Sequence, residues 1–141
     1  MRKHVVIIFN LILALTLYAC AAKQKDILRA EESQVKLRSI QSRVFDITDP
    51  NRLLRAIIAT LQDLGFVIDD ADETLGTVSG TKRSGHALRM TVSIRPKGDN
   101  QMIVRSNAQY NLQTVEDPEP YQQFFAALSK SLFLEAQQIE R

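Results

Sequence analysis

The chain has 141 residues, 45% hydrophobic and 24% charged, with 18 Lys+Arg against 16 Asp+Glu, one cysteine and two histidines. So even a charge balance excludes the strongly basic domain that nucleic-acid binding demands. One cysteine excludes an intrachain disulfide, and with so few histidines it leaves too few ligands for structural zinc.

The first twenty residues read as a secretory signal. Arg2 and Lys3 give a basic start, and Val5 to Leu17 is an apolar run broken only by Asn10 and Thr16. Small Ala19 then stands before Cys20, the single cysteine. Without Arg2 and Lys3 the remainder holds 16 basic and 16 acidic residues, so the pI near 8.8 is partly a property of the leader. About 100 residues beyond a short tether suffice for one small domain and not for two.

Leu17-Tyr18-Ala19-Cys20 resembles the lipobox of bacterial lipoproteins. The resemblance implies cleavage between Ala19 and Cys20, lipid on the Cys20 thiol, and acylation (palmitate or a similar chain) of the new amino terminus. Several acyl chains anchor a protein far more firmly than one. Ala21 and Ala22 follow with no aspartate, which in this family implies an outer-membrane anchor facing the periplasm, the inner membrane being the other destination. A conventional signal with an incidental cysteine, or an uncleaved anchor, are the competing readings. The anchor would fall short of the roughly 20 apolar residues that span a bilayer. The expected organisation is therefore a signal at 1–19, lipidated cysteine and tether at 20–38, and a domain at 39–141.

Residues 21–38 are charged and weakly periodic, a tether whose flexible span would be about 20–25 Å. Ser39 to Ile47 is rich in β-formers and predicts a first strand. Asp49-Pro50 is a helix start, because aspartate caps the free N–H groups and proline needs none in the first turn. Leu53, Leu54, Ile57, Ile58, Leu61 and Leu64 then recur at helical spacing, and Gly65 supplies a left-handed stop. Phe66-Val67-Ile68 opens a strand, Asp69 to Thr74 makes a polar turn, and Leu75 to Lys82 resumes extended structure. His86 to Arg95 alternates cleanly, with Leu88, Met90, Val92 and Ile94 on one face and Arg89, Thr91, Ser93 and Arg95 on the other. Pro96 to Asn100 is a turn by composition. Gln101 to Leu112 alternates likewise, with Met102, Val104, Ala108, Tyr110 and Leu112 apolar and Arg105, Asn107, Gln109 and Asn111 polar. Asp117-Pro118 starts a second helix carrying Tyr121, Phe124, Phe125, Leu128 and Leu132, widened by Phe133, Ala136 and Ile139. Its aromatic stripe is expected in the core; exposed, it would be a partner-binding helix.

The order is read as βαβββα, an α+β two-layer sandwich with both helices on one face of an antiparallel sheet and the other face polar and wet. Leu61 to Ile68, with Asp72 and Leu75-Gly76-Thr77-Val78, is similar to a pattern of small periplasmic lipoprotein domains: helix, Leu-Gly-Phe, strand, acidic turn, glycine, strand. Among these are the helix-grip domains of the β-barrel assembly machinery lipoprotein BamC. With Gln41 to Asp46, the run also resembles a group of proteobacterial lipoproteins. The likeness covers roughly residues 39–82 and bears on architecture more than on activity.

No catalytic constellation emerges. Ser79-Gly80-Thr81-Lys82 fits Ser-x-x-Lys, but that chemistry needs the serine at a helix start in a larger domain. Asp69, Asp70, Asp72 and Glu73 lack the ligand alternation and central glycine of a calcium loop. His86 has no acid beside it in sequence. What remains is a cationic, hydrogen-bonding sheet face: Arg89, Arg95 and Arg105 with Asn107 and Gln109. Such a face suits lipopolysaccharide phosphates, peptidoglycan carboxylates or an acidic protein; its bland reading is a solvated face whose arginines guard strand edges. These features predict a non-enzymatic lipoprotein without cofactor or metal. It would be an accessory or adaptor of an envelope machine in barrel assembly, secretion or efflux, with an envelope protein as partner. The alternative is a module binding peptidoglycan or lipopolysaccharide.

Overall fold

A computed structural model describes residues 33–139. Ala19 and Cys20, with all of the expected signal (1–19) and most of the expected tether (20–38), lie outside the described residues. The chain divides into two contact units at Leu37/Arg38. Residues 33–41 are helical (α1), so the first strand is shorter than expected and begins three residues later. The elements that follow are β1 (Ser42–Phe45), α2 (Pro50–Asp63), β2 (Val67–Asp72), β3 (Thr77–Ser84), β4 (His86–Lys97), β5 (Gln101–Tyr110), β6 (Gln113–Thr114) and α3 (Glu119–Ile139).

The fold is α+β, with helices packed on an antiparallel six-stranded sheet in which five strands run in the order β1-β5-β4-β3-β2 and β6 pairs with β5 off that path. The string βαβββα counts too few strands. Residues 67–84 form a complete hairpin of two strands, and a short β6 is added after β5. The expected polar turn at Asp69–Thr74 is also displaced, because β2 runs through Asp72. The aspartates are accommodated since β2 is an edge strand with nothing paired on its outer side. Asp69 is the extra residue of a bulge between Ile68 and Asp70.

The helix boundaries follow from local chemistry. Asp49 accepts from the Asn51 and Arg52 amides at 2.9 and 3.1 Å, with Pro50 opening α2. At the other end the Phe66 amide donates to the Leu61 carbonyl, and that of Gly65 to Gln62, both at 2.9 Å. This is a Schellman motif with Gly65 at φ +85° in the left-handed position and Leu61 and Phe66 both in the core. The second Asp-Pro device is offset by one residue: α3 starts at Glu119, whose amide donates to Asp117 at 2.9 Å.

The core joins Leu53, Ile57 and Leu61 of α2 and Tyr121, Phe124 and Leu128 of α3 to Val78, Met90, Val92, Val104 and Ala108 of the sheet. The aromatic stripe is therefore core. Phe133, however, is 62% exposed, and Leu112, placed in the β5–β6 turn rather than in β5, is 94% exposed. Ser106 sits on the core face of β5, fully buried, and its hydroxyl has no partner among the described residues.

β5 is flanked along its length by β4 on one side. On the other it meets β1 at Met102–Arg105 and β6 at Gln109–Tyr110, leaving a gap between them. The buried Tyr121 hydroxyl fills this gap. It donates to the Val115 carbonyl at 2.7 Å and accepts from the Ala108 amide at 3.2 Å and the Gln41 side-chain amide at 3.3 Å. Its single donor and both lone pairs are thereby used.

Three stability outcomes follow for thermal or urea unfolding. Tyr121→Phe should cost about 1–3 kcal/mol, since it strands a buried N–H and a buried C=O at once. Gly65→Ala should cost about 1 kcal/mol from backbone conformation, because an added Cβ would meet only the Lys82 Cε at an ordinary 3.7 Å. Ser106→Ala should leave stability equal or raise it by about 1 kcal/mol, the penalty of an unbonded buried hydroxyl being removed.

Candidate functional site

With the helices on one side, the opposite sheet face consists of side chains at alternate positions of β1 to β6. Strand register arranges them in rungs. The first holds Val67, Thr81, Arg89, Gln109 and Thr114; the second Asp70, Ser79, Thr91 and Asn107. The third holds Asp72, Thr77, Ser93, Arg105 and Ser42; the fourth Arg95, Ile103 and Val44. Hydroxyls and amides fill the middle. The acids gather at the β2 edge, and the free cations lie toward β4, β5 and β1.

The face is not one cluster. Arg89, Asn107 and Gln109 share one end with Thr91 and Thr114, lining a shallow cavity of ≈ 280 Å³. Arg89 is held loosely there by Asp69, 3.8 Å from its Nε. The same carboxylate accepts a 2.6 Å hydrogen bond from the Thr81 hydroxyl. The bulge at Asp69 turns this carboxylate onto the face beside Thr81, the next strand's first-rung residue.

Arg105 sits four positions along β5 from Gln109, roughly 13 Å away at strand spacing. Arg95 is its diagonal neighbour across the β4–β5 pair, one rung further on. Neither Arg95 nor Arg105 has an ion-pair or hydrogen-bond partner among the described residues. The five expected residues thus divide into two: Arg89 with Asn107 and Gln109, and Arg95 with Arg105. Strand alternation found the face. It could not separate the two ends, because their spacing depends on how β4 pairs with β5.

The other sequence candidates are resolved by side-chain direction. Ser79 lies on the open face opposite Thr91, whereas Lys82, three residues on, lies on the helix side with its Nζ 6.0 Å from the Phe66 ring centroid. A strand places residues three apart on opposite faces, so Ser79 and Lys82 do not form a nucleophile–base pair. Asp72 accepts from the Leu75 amide at 2.8 Å, which orders the β2–β3 turn. Among the described residues no group of three His, Cys, Asp or Glu side chains is arranged to hold a metal ion. His86 pairs with Ser84 in the β3–β4 register.

Sequence reasoning missed Gln41 altogether. It is 2% exposed and bonded to Tyr121, 80 positions away, and no local pattern signals such a pair. Among the described residues a groove of ≈ 710 Å³ lies between α2 and α3, floored by Ala56, Ala59 and Ala127 and edged by Arg55, Asp63, Lys130, Ser131 and Glu135.

No family model matches the sequence, and no curated protein matches it. Among solved structures the chain is similar to a DUF4468 family protein from Bacteroides ovatus, at 14% identity and a TM-score of 0.29. The match covers 53% of this chain and 59% of that one, too slight a likeness to carry an argument about fold or function.

Proposed function

We propose that the chain is a non-enzymatic lipoprotein of the cell envelope, anchored through Cys20 and facing the periplasm from the outer membrane. Its role is that of an accessory or adaptor, docking a protein of a barrel-assembly, secretion or efflux machine on the open face of its sheet. The observation that carries this reading is that, among the described residues, no helix covers that face. Both long helices close the opposite side, while four long strands here present hydroxyls, amides and arginines to solvent. Such groups can exchange water for a partner's hydrogen bonds without first unburying a core. The leader-like N-terminus supports the location.

The cavity beside Arg89 favours a second reading, in which the occupant is a peptidoglycan or lipopolysaccharide fragment. Its lining of one guanidinium, two amides and two hydroxyls matches carboxylate, phosphate and sugar groups. Arg89 is central to both readings, since it lies at the cavity and is only loosely paired.

Mild crosslinking in whole cells, read by mass spectrometry, tests the proposal with wild type, Cys20→Ser and Arg89→Glu side by side. A defined envelope complex should be recovered with wild type, be lost with Cys20→Ser, and fall by about tenfold with Arg89→Glu if that side chain is an interface anchor. Recovery of glycan or lipopolysaccharide without protein transfers the function to the second reading. Equal recovery of one partner by all three chains would sink the proposal.

A further inference from the structure

We infer that the far end of the open face is a docking surface for anionic phospholipid headgroups, separate from the cavity at Arg89. Three cations meet there. Arg95 and Lys97 follow one another on the same face of β4, and Arg105 is diagonal to Arg95 on β5. All three are exposed, and none has an ion-pair or hydrogen-bond partner among the described residues. Of the acids adjoining these strands, Asp46 accepts a 2.7 Å hydrogen bond from Gln101, and Asp99 lies in the β4–β5 turn.

At this end the rung between the cations is aliphatic on two adjacent strands. Ile103 stands opposite Arg95 and Val44 opposite Ile103, Val44 being 39% exposed. Aliphatic side chains ringed by unpaired cations match a bilayer surface, where phosphates take the charges and the glycerol–acyl boundary takes the apolar groups. An acidic protein would call for hydrogen-bonding side chains in that rung, as at the Arg89 end.

The inference deepens the envelope reading, on which its cellular setting rests, by giving the domain a second and salt-sensitive hold on the membrane. It fixes an orientation, with the β4–β5 turn toward lipid.

The test uses the full chain, held by its own N-terminal segment in vesicles of phosphatidylcholine alone or with added phosphatidylglycerol. Both contain a nickel-chelating lipid as headgroup relaxant. A nitroxide is placed through Asp99→Cys in the β4–β5 turn, and in a second sample through Gln62→Cys at the end of α2. Phosphatidylglycerol should enhance nickel relaxation of the turn label, with little change at the helix label. High salt should abolish the enhancement by screening the charges. Arg95→Glu with Arg105→Glu should cut the docked fraction by about tenfold or more, with the thermal melt unchanged. Equal relaxation in the two vesicle types would overturn the inference. So would an enhancement that survives the double substitution, or one seen equally at both labels. Because no partner protein is present, failure of the adaptor reading leaves the result interpretable. Loss of a crosslinked partner by the same double substitution, without any vesicle effect, would reassign the patch to an acidic protein.

Discussion

The buried Tyr121 hydroxyl ties α3 to β5, to the segment after β6 and to the residue before β1. β5 is paired throughout with β4, but its other edge is covered in two pieces that do not meet. An interrupted edge in the interior would leave main-chain groups without partners, a cost of about 1–3 kcal/mol for each. The Tyr121 hydroxyl occupies the interruption and satisfies the groups on both sides of it, while its ring lies in the core with Phe124 and Leu128. Through Gln41 it also reaches the residue that leads into β1. One side chain therefore fixes where α3 lies on the sheet, where β1 starts and where the chain leaves β6.

That placement determines which surfaces are covered and which are open. With α3 held over β5 and α2 over β2, β3 and β4, these two helices share one side of the sheet, and among the described residues the other side carries mostly polar rungs. The helices are further linked by the Arg52–Glu135 pair at 3.3 Å, which is partly exposed and adds little to stability. Charge on the open face is graded. The acids sit at the β2 edge, with Asp69 and Asp72 already engaged by Thr81 and by the turn backbone. The unpaired arginines sit two and three strands away. The face thus offers neutral hydrogen-bonding ground flanked by opposite charges, and its two ends differ in chemistry.

Much of this was legible in the sequence wherever the signal is local. Asp49-Pro50 and Gly65 marked both ends of α2, and the alternation from Leu88 to Ile94 sorted the faces of β4 correctly. Legibility failed where partners are distant. Asp69 to Asp72 reads as a turn because three aspartates in four positions seldom form a strand, yet an edge strand with a bulge tolerates them. Leu112 and Phe133 fit their periodicities, but the first falls in a turn and the second lies exposed on α3. Of the candidate site, residue identity and face were visible, while the division between Arg89 and the Arg95–Arg105 pair required the β4–β5 register. Gln41 and Ser106, both buried and polar, left no trace in any pattern.

The same broken edge has a further effect. A continuous exposed strand is a template on which another copy can add, and proteins that crowd on a surface meet such templates often. Here β1 offers only four residues, and the Arg43 guanidinium folds back to donate to the Ser39 and Ser42 carbonyls at 3.2 Å each while lying over the Phe125 ring. β6 offers two residues. At the opposite margin, β2 is bulged and acidic. Neither side presents a straight, uncharged run long enough to recruit a strand. The sheet is self-limiting, and many copies can share a confined space without polymerising.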